Sequence, residues 1–203
     1  MGKRRFNNNT RLFKMSKQLT IFDALNEYKD APNSVPFVNE VETFNATFNK
    51  PNNYEVTIPD QKEWQFVYDF VLEELEEYRE ACERGDIVEV LDALCDITYV
   101  SLGNGVMLHG LKDKIWPAYQ EVQASNMSKA CKTEEEAIQT VSQRSEEQGE
   151  ACHYEEVAPG RWIVYRSRDR KVMKSINYFR PDLRQFFTDE EISKTRPQQH
   201  LGI

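Results

Sequence analysis

From residue 20 to residue 147 the apolar positions recur every three or four residues, the period of helices that bury one face. TIFDALNEYK (20–29) predicts a short helix, followed by a turn over 30–34 that contains Pro32. Pro36 suits the first turn of a second helix running to Asn49, whose packed face is Val38, Val41, Phe44 and Phe48. A third starts at Gln61 behind Asp60, with Glu63 placed to complete a capping box. It carries the stripe Trp64, Val67, Phe70, Val71, Leu75 and Tyr78 and ends before Gly85. Asp86 caps the next helix, IVEVLDALCDITYVSLG, which is apolar nearly all round and is therefore predicted to be central in a bundle. Gly103 and Gly105 mark its fraying or a bend. A further helix is predicted from Leu111 to about Ala130, kinked or divided by Pro117. Thr133, followed by Glu134, Glu135 and Glu136, starts one that runs out near Glu147.

The pattern then changes. Cys152–Val157 and Trp162–Tyr165 flank Pro159-Gly160, which predicts a β-hairpin. Lys171–Ile176 is a candidate third strand, and Pro181–Phe187 a short closing helix. The expected organisation is a flexible segment over 1–19, an all-α domain of the four-helix-bundle type over 20–147, a small β-rich basic tail over 150–188, and a flexible C-terminus over 189–203. The start MGKRRFNNNTRLFKMSKQ is basic but is not followed by the apolar run of a secretory signal. No stretch reaches the roughly eighteen apolar residues of a membrane helix. A cytoplasmic location without membrane attachment is the expectation.

A chain of 203 residues suffices for one sizeable core and an appendage. The net charge of −8 argues against a general nucleic-acid binder. It does not exclude a phosphate substrate, because a bound metal and local basic residues reverse the field. Cys82, Cys95, Cys131 and Cys152 match neither a zinc knuckle nor a Cys-x-x-Cys redox pair. His109, His153 and His200 make no cluster.

The chemistry points to the acids instead. Glu73, Glu74 and Glu77 lie at helical spacing, as do Glu89, Asp92 and Asp96 on the following helix. Glu74 interrupts the apolar stripe between Val67, Val71 and Tyr78; Asp92 lies among Val88, Cys95 and Tyr99. The turn at 84–86 brings the two helices together antiparallel and predicts four to six carboxylates in one cluster. Like charges in an apolar setting are stable only with protons or cations among them. Mg²⁺ takes hard oxygen ligands and bridges to phosphate, so the cluster suits hydrolysis of a phosphoanhydride.

The segments Glu73-Glu74-Leu75-Glu76-Glu77 and Glu89-Val90-Leu91-Asp92 resemble the Glu-Glu-x-x-Glu and Glu-x-x-Asp marks of the all-α NTP pyrophosphatase superfamily, which includes the MazG proteins, dimeric dUTPases and phosphoribosyl-ATP pyrophosphohydrolase. The stretch from Asp92 through Asp96 and Val100 to Gly103, and Glu121-Val122-Gln123-Ala124-Ser125-Asn126-Met127-Ser128-Lys129, resemble the phosphoribosyl-ATP pyrophosphohydrolase-like form. The likeness spans roughly residues 36–140. It implies that Glu74, Glu77, Glu89 and Asp92 are Mg²⁺ ligands, with Mn²⁺ able to substitute. Glu73 and Asp96 become further ligands or acids just behind them, and Asn126 and Lys129 lie near the substrate phosphates. It also implies a homodimer or dimer of dimers, and cleavage of a nucleoside triphosphate or phosphoribosyl-nucleotide between the α and β phosphates to pyrophosphate and a monophosphate.

Residues 161–184 add eight basic side chains: Arg161, Arg166, Arg168, Arg170, Lys171, Lys174, Arg180 and Arg184. Trp162, Tyr165, Tyr178 and Phe179 are interleaved with them. Such a mixture either closes over a nucleotide, with Lys171 and Lys174 the best candidates to bind substrate, or packs its aromatics and balances the acidic helices. The alternative to an enzyme is a non-catalytic helical dimer that binds a nucleotide or a protein partner.

Overall fold

The computed structural model describes residues 35–195, all of which fall in one unit, 33–203. The helix expected over 20–29, the turn before it reaches Pro36, and the segments 1–19 and 196–203 lie outside the described residues. Helix α1 is Pro36–Thr47, with proline in its first turn. Helix α2, Gln61–Arg84, begins with the full capping box: the Asp60 side chain accepts from the Glu63 N–H, and the Glu63 carboxylate accepts from the Asp60 N–H. Gly85, at φ 69°, closes it in the left-handed conformation that favours glycine, and the Asp86 side chain at once caps α3, Ile87–Thr98. The Asp60 and Asp86 caps thus fix the ends of an αα-hairpin whose two helices pack on each other.

Helix α3 does not fray at its glycines. It passes into a π-helical turn, Tyr99–Asn104, and then into α4, Gly105–Leu108. α1 crosses this turn at Gly103, where a Cβ would stand 2.1 Å from Val41 Cγ2. Glycine is needed there for close approach, and Phe44 packs edge-on to Tyr99 alongside, with ring centroids 5.8 Å apart. Val38, Val106 and Met107 form the buried core of the junction, with Leu111 and Ile115 against it. Helix α5, Lys112–Met127, carries Pro117 within a single helix rather than being divided by it. Helix α6, Glu134–Gln148, is capped by Thr133.

Strands β1, Cys152–Ala158, and β2, Arg161–Arg166, pair antiparallel, with Tyr154 opposite Val164 and Glu155 opposite Ile163. α6 packs on both strands, around a second buried core of Cys131, Ala137, Val164 and Met173. The third strand expected at Lys171–Ile176 is not formed. Val172 makes one isolated bridge to Tyr165 and the Met173 N–H donates to the Val164 carbonyl, but the Ser175 N–H turns away to the Lys129 carbonyl at the end of α5. The closing turn is a 3₁₀ segment, Leu183–Phe186. Within the stretch expected to be a flexible C-terminus, residues Asp189–Thr195 form a short helix, α7. The architecture is an all-α core with a small antiparallel hairpin, and it holds more helices than the four of a simple bundle. Among the described residues no helix is long and apolar enough to cross a membrane.

Candidate active site

In the α2–α3 hairpin Glu73 and Glu77 of α2 and Asp92 and Asp96 of α3 come near enough for their charges to act on Glu74, whereas Glu89 is not among the groups that act on it. On α2, Glu74 shares a face with Val67, Val71 and the buried Ala81, so its side chain is drawn toward α3 and half-buried. Its Oε2 is buried without a hydrogen-bond partner among the described residues. Burial first, then the charges of Glu77, Asp96, Glu73 and Asp92, push the Glu74 carboxyl above its ordinary value. Every charged group acting on it is another acid, drawn from both helices.

The remaining acids lie further out. Asp96 is half-buried, whereas Glu73, Glu77, Glu89 and Asp92 are exposed. At 3.6 residues per turn, Glu89, Asp92 and Asp96 fall between the inner side of α3, marked by the buried Ala93 and half-buried Ile97, and a second apolar side. The expectation that α3 is central in the bundle does not hold for a single chain. Ile87 is 76% exposed, Val88 70%, Leu91 63% and Leu94 46%, because no other helix of the described residues covers that side. Among the described residues no three acids, histidines or cysteines converge as they stand on a point that would hold a metal ion. Carboxylates on flexible stems repel and spread unless a proton or cation holds them together. The donor set nevertheless fits Mg²⁺: hard oxygens only, a buried carboxylate oxygen lacking a partner, and no cation among the groups that act on it.

A pH dependence follows from Glu74. Below about 4.5, the ordinary value of its carboxyl, folded and unfolded chains are both protonated and nothing is lost. As the pH rises from there through the raised folded value, the unfolded chain releases its proton first, and stability falls. In EDTA the urea midpoint of Glu74→Gln relative to wild type is therefore expected to rise as the pH rises through that window. Equal slopes in the two proteins would show that Glu74 is not the strained group.

The substrate-side candidates divide. Asn126, exposed near the end of α5, accepts from Lys129 Nζ at 2.8 Å. Lys174 Nζ stands over the Tyr178 ring, 4.4 Å from its centroid. Lys171 is exposed, and its backbone N–H donates to the Asp169 carboxylate. None of these bases is among the groups acting on Glu74. The arginines of the tail are largely engaged: Arg166 with Asp169, Arg168 with Glu150 at 2.9 Å, Arg170 with Glu155 at 2.9 Å, and Arg184 with Asp189. Sequence reasoning missed the two serines that fasten the tail to α5. Ser125 Oγ donates to the Phe179 carbonyl at 2.9 Å, and Ser128 Oγ accepts from the Phe179 N–H at 3.2 Å. Their spacing of three on one helical turn was the available signal.

No curated protein matches the chain. Residues 41–126 match the family model described as phosphoribosyl-ATP pyrophosphohydrolase. Residues 41–126, from within α1 through the acidic hairpin to Asn126, thus match the phosphoribosyl-ATP pyrophosphohydrolase model of the MazG-like superfamily, the kind expected from the two acidic segments.

Proposed function

We propose that the chain is a Mg²⁺-dependent nucleotide pyrophosphohydrolase. The observation that carries this reading is Glu74: a half-buried carboxylate with an unpartnered oxygen, set among four other acids contributed by two helices of the matched domain. Glu74, Glu77, Glu89, Asp92 and Asp96 are the residues that would hold the metal. When bound, Mg²⁺ (or Mn²⁺) supplies polarisation of the phosphate oxygens and neutralises charge that grows on them. Glu73, exposed and adjacent to Glu74, orients the attacking water and takes its proton. Attack at the α phosphorus breaks the α–β phosphoanhydride, pyrophosphate departs as the leaving group, and a monophosphate remains. Asn126, through its amide, and Lys129, as a point charge, bind phosphate oxygens of the substrate.

The same reading includes a homodimer. The uncovered apolar side of α3 supports it, because Ile87, Leu91 and Leu94 form a continuous stripe that no other element of the described residues covers.

The test is release of pyrophosphate, with Mg²⁺ present, from a panel of nucleoside triphosphates and phosphoribosyl-ATP. Turnover of at least one member, giving equal amounts of pyrophosphate and the corresponding monophosphate, is the expected result. Release of single phosphate groups instead, or no turnover on any member, would refute the assignment.

A further inference from the structure

Four residues of α2 recur at intervals of four, three and four: Phe66, Phe70, Glu73 and Glu77. At 3.6 residues per turn they fall within about 60° of arc, so they form one row along the helix. Phe70 also lies one turn before Glu74, whose Oε2 has no hydrogen-bond partner among the described residues. The two phenyl rings touch, with centroids 4.6 Å apart and planes at 66°. They meet edge-on rather than as a closed sandwich, and both stay open to water: Phe66 is 62% exposed and Phe70 37%. Phe70, expected in the apolar stripe of α2, thus belongs to the acid row as well. Packing in the core does not account for Phe66.

The surroundings decide what can lie on the rings. On one flank Gln65 Nε2 donates to Asp69 Oδ1 at 2.8 Å, so that amide is engaged; on the other stand the half-buried Val67 and Val71. Along the row come the acids. A second copy of this chain, at net charge −8, seated on this face would bury Glu73 and Glu77 against a surface of like sign. A flat, uncharged aromatic ring avoids that cost when the rest of its molecule carries phosphates that face a cation held by the acids. The helical rise sets the reach: about 4.5 Å along the axis from Phe70 to Glu73, and about 10.5 Å from Phe66 to Glu73. These separations bracket the span of a nucleotide from its base to its phosphates.

From this geometry we propose that Phe66 and Phe70 form the subsite for the base of a nucleotide whose phosphates face the acid row, and that the base is held by ring contact rather than read by hydrogen bonds. Phenyl faces offer a stacking surface that every base can use. The subsite therefore accepts different bases and ranks them by stacking strength. The proposal rests on the pyrophosphohydrolase reading for the cation and the phosphates; the rings add a contact that neither acidic segment supplies.

Calorimetry on the full chain with Mg²⁺ compares the nonhydrolysable α,β-methylene analogue of ATP with inorganic tripolyphosphate, which has the phosphates but no base. Wild type is expected to bind the analogue about tenfold or more tightly than tripolyphosphate. Phe66→Ala and Phe70→Ala should each weaken the analogue about tenfold, as loss of one base–aromatic contact does, and leave tripolyphosphate unchanged. Phe70→Trp should retain binding, whereas Phe70→Leu, apolar but without a π-face, should lose it as alanine does. Tyr68→Ala, 58% exposed on the opposite side of α2, should bind as wild type does. Equal affinity of wild type for the two probes would overturn the base subsite and leave the pyrophosphohydrolase reading standing. Ring-dependent binding of the analogue without turnover of any triphosphate would refute the hydrolase and leave the subsite standing; binding of neither probe would overturn both. Full affinity for the analogue in Phe70→Leu, or a parallel loss of tripolyphosphate in the alanine variants, would overturn the proposal in favour of a packing role. Conversion of a dimer to a monomer by Phe66→Ala would overturn it in favour of a second copy.

Discussion

Asp92→Asn is expected to abolish pyrophosphate release while leaving the helical fold intact. Asp92 is exposed on α3, makes no hydrogen bond or ion pair within the described residues, and acts on Glu74 only through its charge. Its removal therefore breaks no native contact. It takes one negative charge away from a cluster of like charges, so in EDTA the variant should melt no lower than wild type. Activity has the opposite dependence, because it needs the full carboxylate set around the cation. Residues that merely orient metal ligands cost about 10–100-fold when lost. A residue that is itself a ligand should cost about a hundredfold or more in kcat/KM, together with a matching loss of Mg²⁺ affinity by calorimetry. Raising Mg²⁺ should recover part of the rate in Asp92→Asn if affinity is what was lost. Unchanged turnover in a well-folded Asp92→Asn would remove α3 from the metal site and leave the acids of α2 without partners.

The helices were legible because their signals are local. Asp60 and Glu63, Asp86, and Thr133 stand at the starts of α2, α3 and α6, and the apolar period runs between them. The side of α2 that carries Glu74 was legible for the same reason, since residues 67, 71, 74 and 81 share a face. What covers a face is not local. The period of α3 marks apolar residues nearly all round, and burial all round was the natural reading; among the described residues only the side with Ala93 is buried. The tail failed differently. Counting charges from 161 to 184 leaves Asp169 and Asp182 as the only acids, whereas Glu150 and Glu155, just before that window, fold back to Arg168 and Arg170. Strand register and turn geometry decide such pairs, so linear proximity underestimates them. The third strand was lost to a competing partner. Val172 begins to pair with Tyr165, but the next backbone donors, at Ser175 and Ile176, are claimed by Lys129 and Thr140.

Leu91→Asp is expected to convert the proposed dimer to a monomer and to silence the active site with it. Leu91 sits near the middle of the uncovered stripe, with Ile87 one turn before it and Leu94 one turn after. In a two-fold dimer the substitution occurs twice at one interface. Each copy forfeits about 1.5–3 kcal/mol of apolar burial and adds a carboxylate that has no cationic partner there. Together these amount to at least about 3–6 kcal/mol of association free energy, or about a hundredfold or more in the dimer dissociation constant. Because the substituted side chain is 63% exposed in the isolated chain, the monomer itself should keep its helicity. Sedimentation across a concentration series, alongside circular dichroism, measures both. The active-site consequence follows from the order of residues around α3: Glu89, Asp92 and Asp96 border the stripe, so a partner that covers Leu91 also shields those acids from water and strengthens their hold on a cation. Activity should then rise with protein concentration in step with dimer formation in wild type, and Leu91→Asp should lie at the dilute limit of that curve at every concentration. A monomeric wild type with full specific activity would show that the acids work unshielded, and the exposed stripe would then need another explanation.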